Sequence, residues 1–324
     1  MSEPARIPVV VCIDVEPDPR AVDLKAPPPW LGFQQTYDLL QPFRDPLSLQ
    51  SGNPARLSWY LRMDPQVQMA YGSASWGVES NAGLVDRLRS LGDEIGLHVH
   101  SWRFDTASGV WVSDYSNAEW IDECLALSFS AFMRTIGRNC RTFRFGDRWM
   151  DQRTFGRLEA LGIEIDLTLE PGYGQGSFYT PSESFSGRLP DFRQVPRRPY
   201  RPSAADYRIA DPSRQQGIFA LPVTTAQVQP ALWHRLYNRW VAQRPATDMS
   251  TALISLEPSL FRTVVDDALE REHPHLVLPL RTGAAGVPKY ASRVEANLNW
   301  LSRRSDASRF AWVTPAEAIQ LLPL

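Results

Sequence analysis

The sequence lacks several features that would each define a class. Its three cysteines, Cys12, Cys124 and Cys140, are too few and too scattered for a disulfide framework or a thiolate zinc site, and they read as reduced packing residues. No segment approaches the roughly 20 uninterrupted apolar residues that span a bilayer, and the N-terminal MSEPARIP has no basic stretch followed by an apolar run. The expectation is a cytoplasmic protein without a membrane span. A formal net charge of −2 leaves no electrostatic footprint for nucleic acid. No Gly-x-Gly-x-x-Gly loop follows the first apolar run, which weakens a dinucleotide-binding reading. There is no internal repeat.

What is present alternates. Apolar runs of strand length occur at 7–14, 56–62, 94–100, 141–146, 163–167, 218–223, 275–280 and 310–313. Segments with helical spacing fall at 78–91, 118–136, 152–161, 226–243, 258–271, 287–303 and 315–322, the last opened by Thr314 as N-cap and Pro315 at the first helical position. This alternation predicts an α/β fold with a parallel sheet: a (β/α)7–8 barrel in one domain, closed or distorted and incompletely closed. An open doubly wound sheet gives the same pattern. Residues 19–55 and 171–216 are too long for plain connections, and both read as long loops leaving the carboxyl ends of strands, where barrel enzymes place their sites. Their aromatics Trp30, Phe33, Tyr173, Phe178, Tyr179 and Tyr200 either stack on a sugar or anchor the loops, and anchoring is the commoner fate.

Alternate strand residues point to opposite faces, so in EIGLHVHSW (94–102) Ile95, Leu97 and Val99 share one face while His98, His100 and Trp102 share the other. The same rule groups Cys12, Asp14 and Glu16 opposite Ile13 and Val15. Arg62 and Asp64 fall opposite Leu61 and Met63, Arg144 and Gly146 opposite Phe143 and Phe145, and Asp166 opposite Ile165 and Leu167; Arg281 ends the seventh strand. A lone strand histidine is usually a hydrogen-bonded core residue, and a lone strand-end Asp usually caps the next helix. Ionisable side chains are rarely buried unless paired or metal-bound, however, so several strand ends delivering them inward predict one polar centre. Two imidazoles, one or two carboxylates and a position left for water suit a divalent transition ion, Zn²⁺ first, with Co²⁺ or Ni²⁺ as substitutes.

The segment GDEIGLHVHSW (92–102) resembles the second motif of the polysaccharide deacetylase family, carbohydrate esterase family four, which reads Gly-His-Glu-Ile-Gly-x-His-(three residues)-His. VCIDVEPD (11–18) stands in the place of the first motif, FRFGDRWMD (143–151) is similar to the third, IEIDLTLEPG (163–172) stands where the fourth would be, and FAWVTPAEAI (310–319) looks like the usual close. Two departures shift the site. The family's second Asp of the first motif falls on Val15, so Glu16 or Asp18 substitutes. Its second His falls on Trp102, and His100 is the replacement. A branch of the family with Asp-x-Glu and Leu-His-x-His patterns makes the same double exchange. Where the family has its general-acid His, LPLRTG (278–283) offers Arg281, which can only stabilise an oxyanion.

The resemblance implies a metal-dependent hydrolase that removes an acetyl group from an N- or O-acetylated sugar or a related amide, with a small-molecule or glycan substrate. Glu16, His98 and His100 would hold the metal, Asp14 would take the proton of the attacking water, and Arg144 would orient Asp14. Asp166 would hold Arg144 or a loop residue, and Arg62, Asp64, Trp102 and Arg281 would face the substrate. The leaving amine has no evident proton donor: His275 sits at the far end of its strand, and His273 and His234 read as surface residues. The rival readings are a glycosidase with a carboxylate pair and a barrel that binds carbohydrate without turnover.

Overall fold

A computed structural model describes residues 6–176, 184–228, 248–272 and 274–322. Its strands are β1 (Ile7–Val15), β2 (Ser58–Arg62), β3 (Glu94–Val99), β4 (Trp102–Asp105), β5 (Val110–Asp114), β6 (Thr142–Phe145), β7 (Ile165–Asp166), β8 (Ser184–Ser186), β9 (Phe219–Ala220), β10 (Thr225–Gln227), β11 (Met249–Thr251), β12 (Leu276–Arg281) and β13 (Phe310–Trp312). Its helices are α1 (Leu31–Ser51), α2 (Pro65–Tyr71), α3 (Trp76–Glu79), α4 (Ala82–Ser90), α5 (Ala118–Ile136), α6 (Gln152–Ala160), α7 (Pro258–Leu269), α8 (Pro288–Ser302) and α9 (Pro315–Leu321). None of the described helices is long and apolar enough to cross a membrane.

The eight predicted strands build one parallel sheet in the order β12-β1-β2-β3-β6-β7-β9, with β13 pairing the first residues of β1. The sheet curls without β9 and β12 pairing as strands; chain following β9 links the two edges, Thr224 N donating to the Val277 carbonyl at 3.1 Å. An incompletely closed barrel results. Outward residues, among them Val9, Val11, Ile13, Trp59, Leu97 and Phe143, pack under the helices, while Val10, Cys12, Tyr60, Ile165, Leu167, Leu221 and Val277 fill the inside of the curl. Apolar fill therefore occupies the middle of the curl, and its mouth is left to the charged groups.

The helix at 118–136 lies where its spacing predicts, opened by the Asn117 side chain accepting from Trp120 N and closed by Gly137 in the left-handed region at φ 76°. Two expectations change. Much of 19–55 is the helix α1, whose buried Phe33, Thr36, Leu40, Arg44 and Leu47 follow a helical stripe. Pro42 and Pro46 inside it each remove one ladder N–H without ending it, so proline content misleads here. The helix expected at 226–243 begins instead as β10, antiparallel to β11, and 229–243 lie outside the described residues. Segment 171–216 carries little regular structure beyond β8 among its described residues.

Candidate metal and catalytic centre

Strand register brings the ionisable residues together. Arg281 of β12 lies opposite Asp14 of β1, and Arg62, His98 and Arg144 lie in a row across β2, β3 and β6. His98 Nδ1 donates to the Arg144 carbonyl at 2.9 Å, which leaves the lone pair on its Nε2. That lone pair points at His100 Nε2 only 3.0 Å away, the two rings standing edge to face with centroids 4.7 Å apart. The Glu16 carboxylate lies 3.5 Å from the same His100 nitrogen. One ligand atom from each of Glu16, His98 and His100 lies within 4.8 Å of the others, so the three form a group able to hold a metal ion. Two facing imidazole nitrogens repel unless a proton or a cation lies between them, and on that ground the donor set fits a metal.

Burial pushes His98 down to about 4, against the pull of Asp14, so at neutral pH it is the uncharged ring a metal requires. Burial also works against ionisation of Glu16. Arg281, the two histidines and Arg62 outweigh it and hold the carboxyl well below its usual range. Arg281 Nε and Arg62 Nη1 both donate to Glu16, the second at 3.2 Å. Arg144 Nε spans both oxygens of Asp14 at 2.9 and 3.2 Å, and its Nη1 is anchored on the Leu167 carbonyl at 2.8 Å.

Other residues expected at the site are placed differently. Arg62 and Asp64 were expected at the substrate, yet both are fully buried and their polar atoms are committed. Arg62 Nε donates to Asp64 at 2.6 Å, while Asp64 caps α2 and accepts from His100 N at 3.0 Å, so the pair braces the site from behind. Trp102 lies on the expected side, but it is buried under the Arg20 guanidinium, 5.2 Å from its ring, rather than lining a cleft. Arg281 remains at the partly exposed rim.

Asp166 requires a further correction. Ile165 and Leu167 pack inside the curl with Val10 and Cys12, which turns Asp166 to the opposite face. There it accepts from Thr168 Oγ1 at 2.6 Å and Thr168 N at 3.1 Å, and the Thr168 hydroxyl in turn accepts from Phe145 N at 2.8 Å. It supports the end of β6, and of the two partners expected for it, Arg144 or a loop residue, it holds the loop residue Thr168. Among the aromatics, Trp30 packs edge-on against Tyr71 and Trp76, and Phe33 lies tilted against Trp59; Tyr200 is buried, and Tyr173 carries Arg148 over its face. These anchor loops. Phe178, Tyr179, His234 and His273 lie outside the described residues, and His275 is buried at the start of its strand's approach.

Asp147 is the residue that sequence reasoning missed. Its Oδ2 lies 3.1 Å from His100 Nδ1, accepts from the Tyr115 hydroxyl at 2.8 Å and from Ser113 Oγ at 3.3 Å, and its other oxygen pairs with Arg20. Both Asp147 (φ 58°) and Arg148 (φ 53°) adopt left-handed backbone, a conformation that non-glycine residues hold only where the surroundings impose it. Gly146 before them makes room: a Cβ there would come within 2.3 Å of the His100 ring. The available signal was an acid directly after a strand-end glycine. Glu170, also unassigned from sequence, is buried beside Arg144 and accepts from Thr251 Oγ1 at 2.7 Å.

Neither a family model nor a curated protein sequence matches the chain. Solved structures do. A protein from Mycobacterium smegmatis described as a polysaccharide deacetylase is similar over 99% of this chain and 92% of its own, with a TM-score of 0.53 at 12% identity. One from Pseudomonas aeruginosa PAO1, described likewise, is similar over 98% and 91%, with a TM-score of 0.51 at 12% identity. The curled, incompletely closed barrel is the polysaccharide deacetylase fold.

Proposed function

We propose that this protein is a metal-dependent hydrolase that removes an acetyl group from an N- or O-acetylated sugar or a related amide. The observation that carries the reading is the pair of facing Nε2 atoms on His98 and His100, with Glu16 beside them and the Asp14–Arg144 pair on the same side of the sheet. Two neutral imidazoles and one carboxylate make an open donor set for Zn²⁺, with Co²⁺ or Ni²⁺ as substitutes. Bound there, such an ion supplies the Lewis acidity that polarises an acyl oxygen. Asp14 is the base, accepting the proton of the attacking water on a carboxylate whose plane Arg144 fixes through both oxygens. Arg281, whose side chain is partly exposed at the rim while its Nε donates to Glu16, would stabilise charge developing on the acyl oxygen. The descriptions of the two fold relatives support an acetylated glycan as substrate.

The test is metal content of the purified chain together with acetate release from N-acetylglucosamine oligosaccharides and acetylated xylan. Near-stoichiometric Zn²⁺, Co²⁺ or Ni²⁺ and chelator-sensitive acetate release are expected; a metal-free chain with no release on either substrate overturns the reading. One observation favours a second reading, a barrel that binds glycan without turnover: Arg62 and Arg281 already neutralise Glu16. Glycan binding without metal would then be the result.

A further inference from the structure

Nδ1 of His100 has two neighbours that require opposite protonation states of it. Asp147 Oδ2, 3.1 Å away, only accepts hydrogen bonds and needs a proton on Nδ1. The Trp102 indole Nε1, 3.0 Å away, only donates and needs a lone pair there. One nitrogen cannot serve both, and in a neutral ring the choice fixes the other end. A proton on Nδ1 leaves Nε2 bare toward His98 and Glu16. A proton on Nε2 instead bridges to His98 Nε2 at 3.0 Å. His98 has no such choice, because the Arg144 carbonyl facing its Nδ1 can only accept.

We propose that His100 exists in two neutral tautomers, with Trp102 holding the metal-free one and Asp147 the metal-binding one. The proposal rests on the metal reading above. In the metal-free chain His100 Nε2–H donates to His98 Nε2, and Nδ1 accepts from Trp102. When the Nε2 lone pair is needed for a cation, the Nε2 proton leaves to water and Nδ1 takes one from water. The ring exchanges one proton for the other and turns its Nδ1–H to Asp147. The two neighbours are unequal in what each loses. Asp147 keeps Tyr115, Ser113 and Arg20 when His100 is not its donor. Trp102 is buried to 1% exposure, and its indole N–H makes no second hydrogen bond among the described residues, so the metal-binding tautomer orphans it. Trp102 therefore opposes metal uptake, and the left-handed backbone that aims Asp147 at His100 favours it.

The decisive measurement is the ¹⁵N chemical shifts of the imidazole nitrogens in the full wild-type chain, metal-free and saturated with Zn²⁺. His100 should carry its proton on Nε2 without zinc and on Nδ1 with it. Two variants give the energetics by competition for Zn²⁺ against a chelating dye, with circular dichroism to establish folding. Trp102→Phe keeps a ring and removes the N–H, and should tighten zinc about tenfold, a direction that loss of mere packing would not produce. Asp147→Asn keeps a residue type that tolerates left-handed backbone and should weaken zinc about 10- to 100-fold. The same tautomer with and without zinc, or a Trp102→Phe chain that binds zinc no tighter than wild type, overturns the proposal and leaves the metal reading standing. A wild-type chain that takes up none of Zn²⁺, Co²⁺ and Ni²⁺ overturns both. The wild-type spectra decide the matter even if a variant fails to fold.

Discussion

Asp166→Asn should change how stability depends on pH and leave the metal centre alone. Asp166 is fully buried with Thr168 as its hydrogen-bond partner, and burial pushes its carboxyl from the ordinary 3.8 up to about 7, against the two hydrogen bonds from Thr168 and the more distant Arg144. The folded state thus keeps a proton that the unfolded chain releases between those values. Its contribution to stability is fully present below pH 3.8 and is lost as pH rises through about 7, a total of about 4 kcal/mol at roughly 1.4 kcal/mol per pH unit. Asparagine does not titrate, so subtracting the variant's curve from the wild type's isolates this group. Urea unfolding of both proteins, from about pH 5 to about pH 8, should show the variant gaining about 3 kcal/mol relative to wild type. Parallel curves would refute the reasoning, since Asp166 would then ionise alike in both states. Metal content and acetate release should match wild type; their loss would return Asp166 to the catalytic centre.

Asp14→Asn should retain metal and lose acetate release, because an amide cannot accept the proton, whereas Glu16→Gln should lose both; the reverse pattern would exchange the two roles. His98→Ala and His100→Ala should each lower metal occupancy sharply with an unchanged circular dichroism spectrum, and equal metal content in mutants and wild type would remove the site. Gly146→Ala places a Cβ within 2.3 Å of the His100 ring and should weaken zinc about tenfold or more, or lower stability by about 1–3 kcal/mol. Unchanged zinc affinity together with unchanged stability would show that the close approach is not there.

The sheet was legible because its strands are buried on both sides and read as short apolar runs, and because capping at Asn117 and Thr314 marks helix starts directly. Helix α1 was not legible: Pro42 and Pro46 suggest a loop, while burial of Phe33, Leu40 and Leu47 decides for the helix. For the site, parity placed Asp14, His98 and His100 correctly and failed at β7. The inside of this barrel is apolar through its middle and charged at its mouth, so polarity marks height along a strand as much as face. Ile165 and Leu167 sit deep enough to be interior, and the acid between them faces out. Asp147 escaped because strand alternation does not extend into a left-handed turn.

The charges at the mouth also bear on why the centre exists. Arg144 answers Asp14, and Arg62 and Arg281 answer Glu16. A buried ion network of this kind is weak support for stability, since well-packed apolar side chains of similar volume commonly do as well or better. The histidine pair is less useful still as structure: two imidazoles 3.0 Å apart share at most one proton, and His98 is strongly biased against charge by its burial. Strand positions four residues deeper in the same barrel, Val10 and Val277 among them, show that this sheet packs apolar residues inward without difficulty. The sequence departs from that solution most heavily at the carboxyl ends of β1, β2, β3, β6 and β12, and there the charged side chains touch Asp14, Glu16 or the two histidines. Carboxylates with fixed countercharges and imidazoles with converging nitrogens form an arrangement that packing does not require and that acyl-transfer chemistry does.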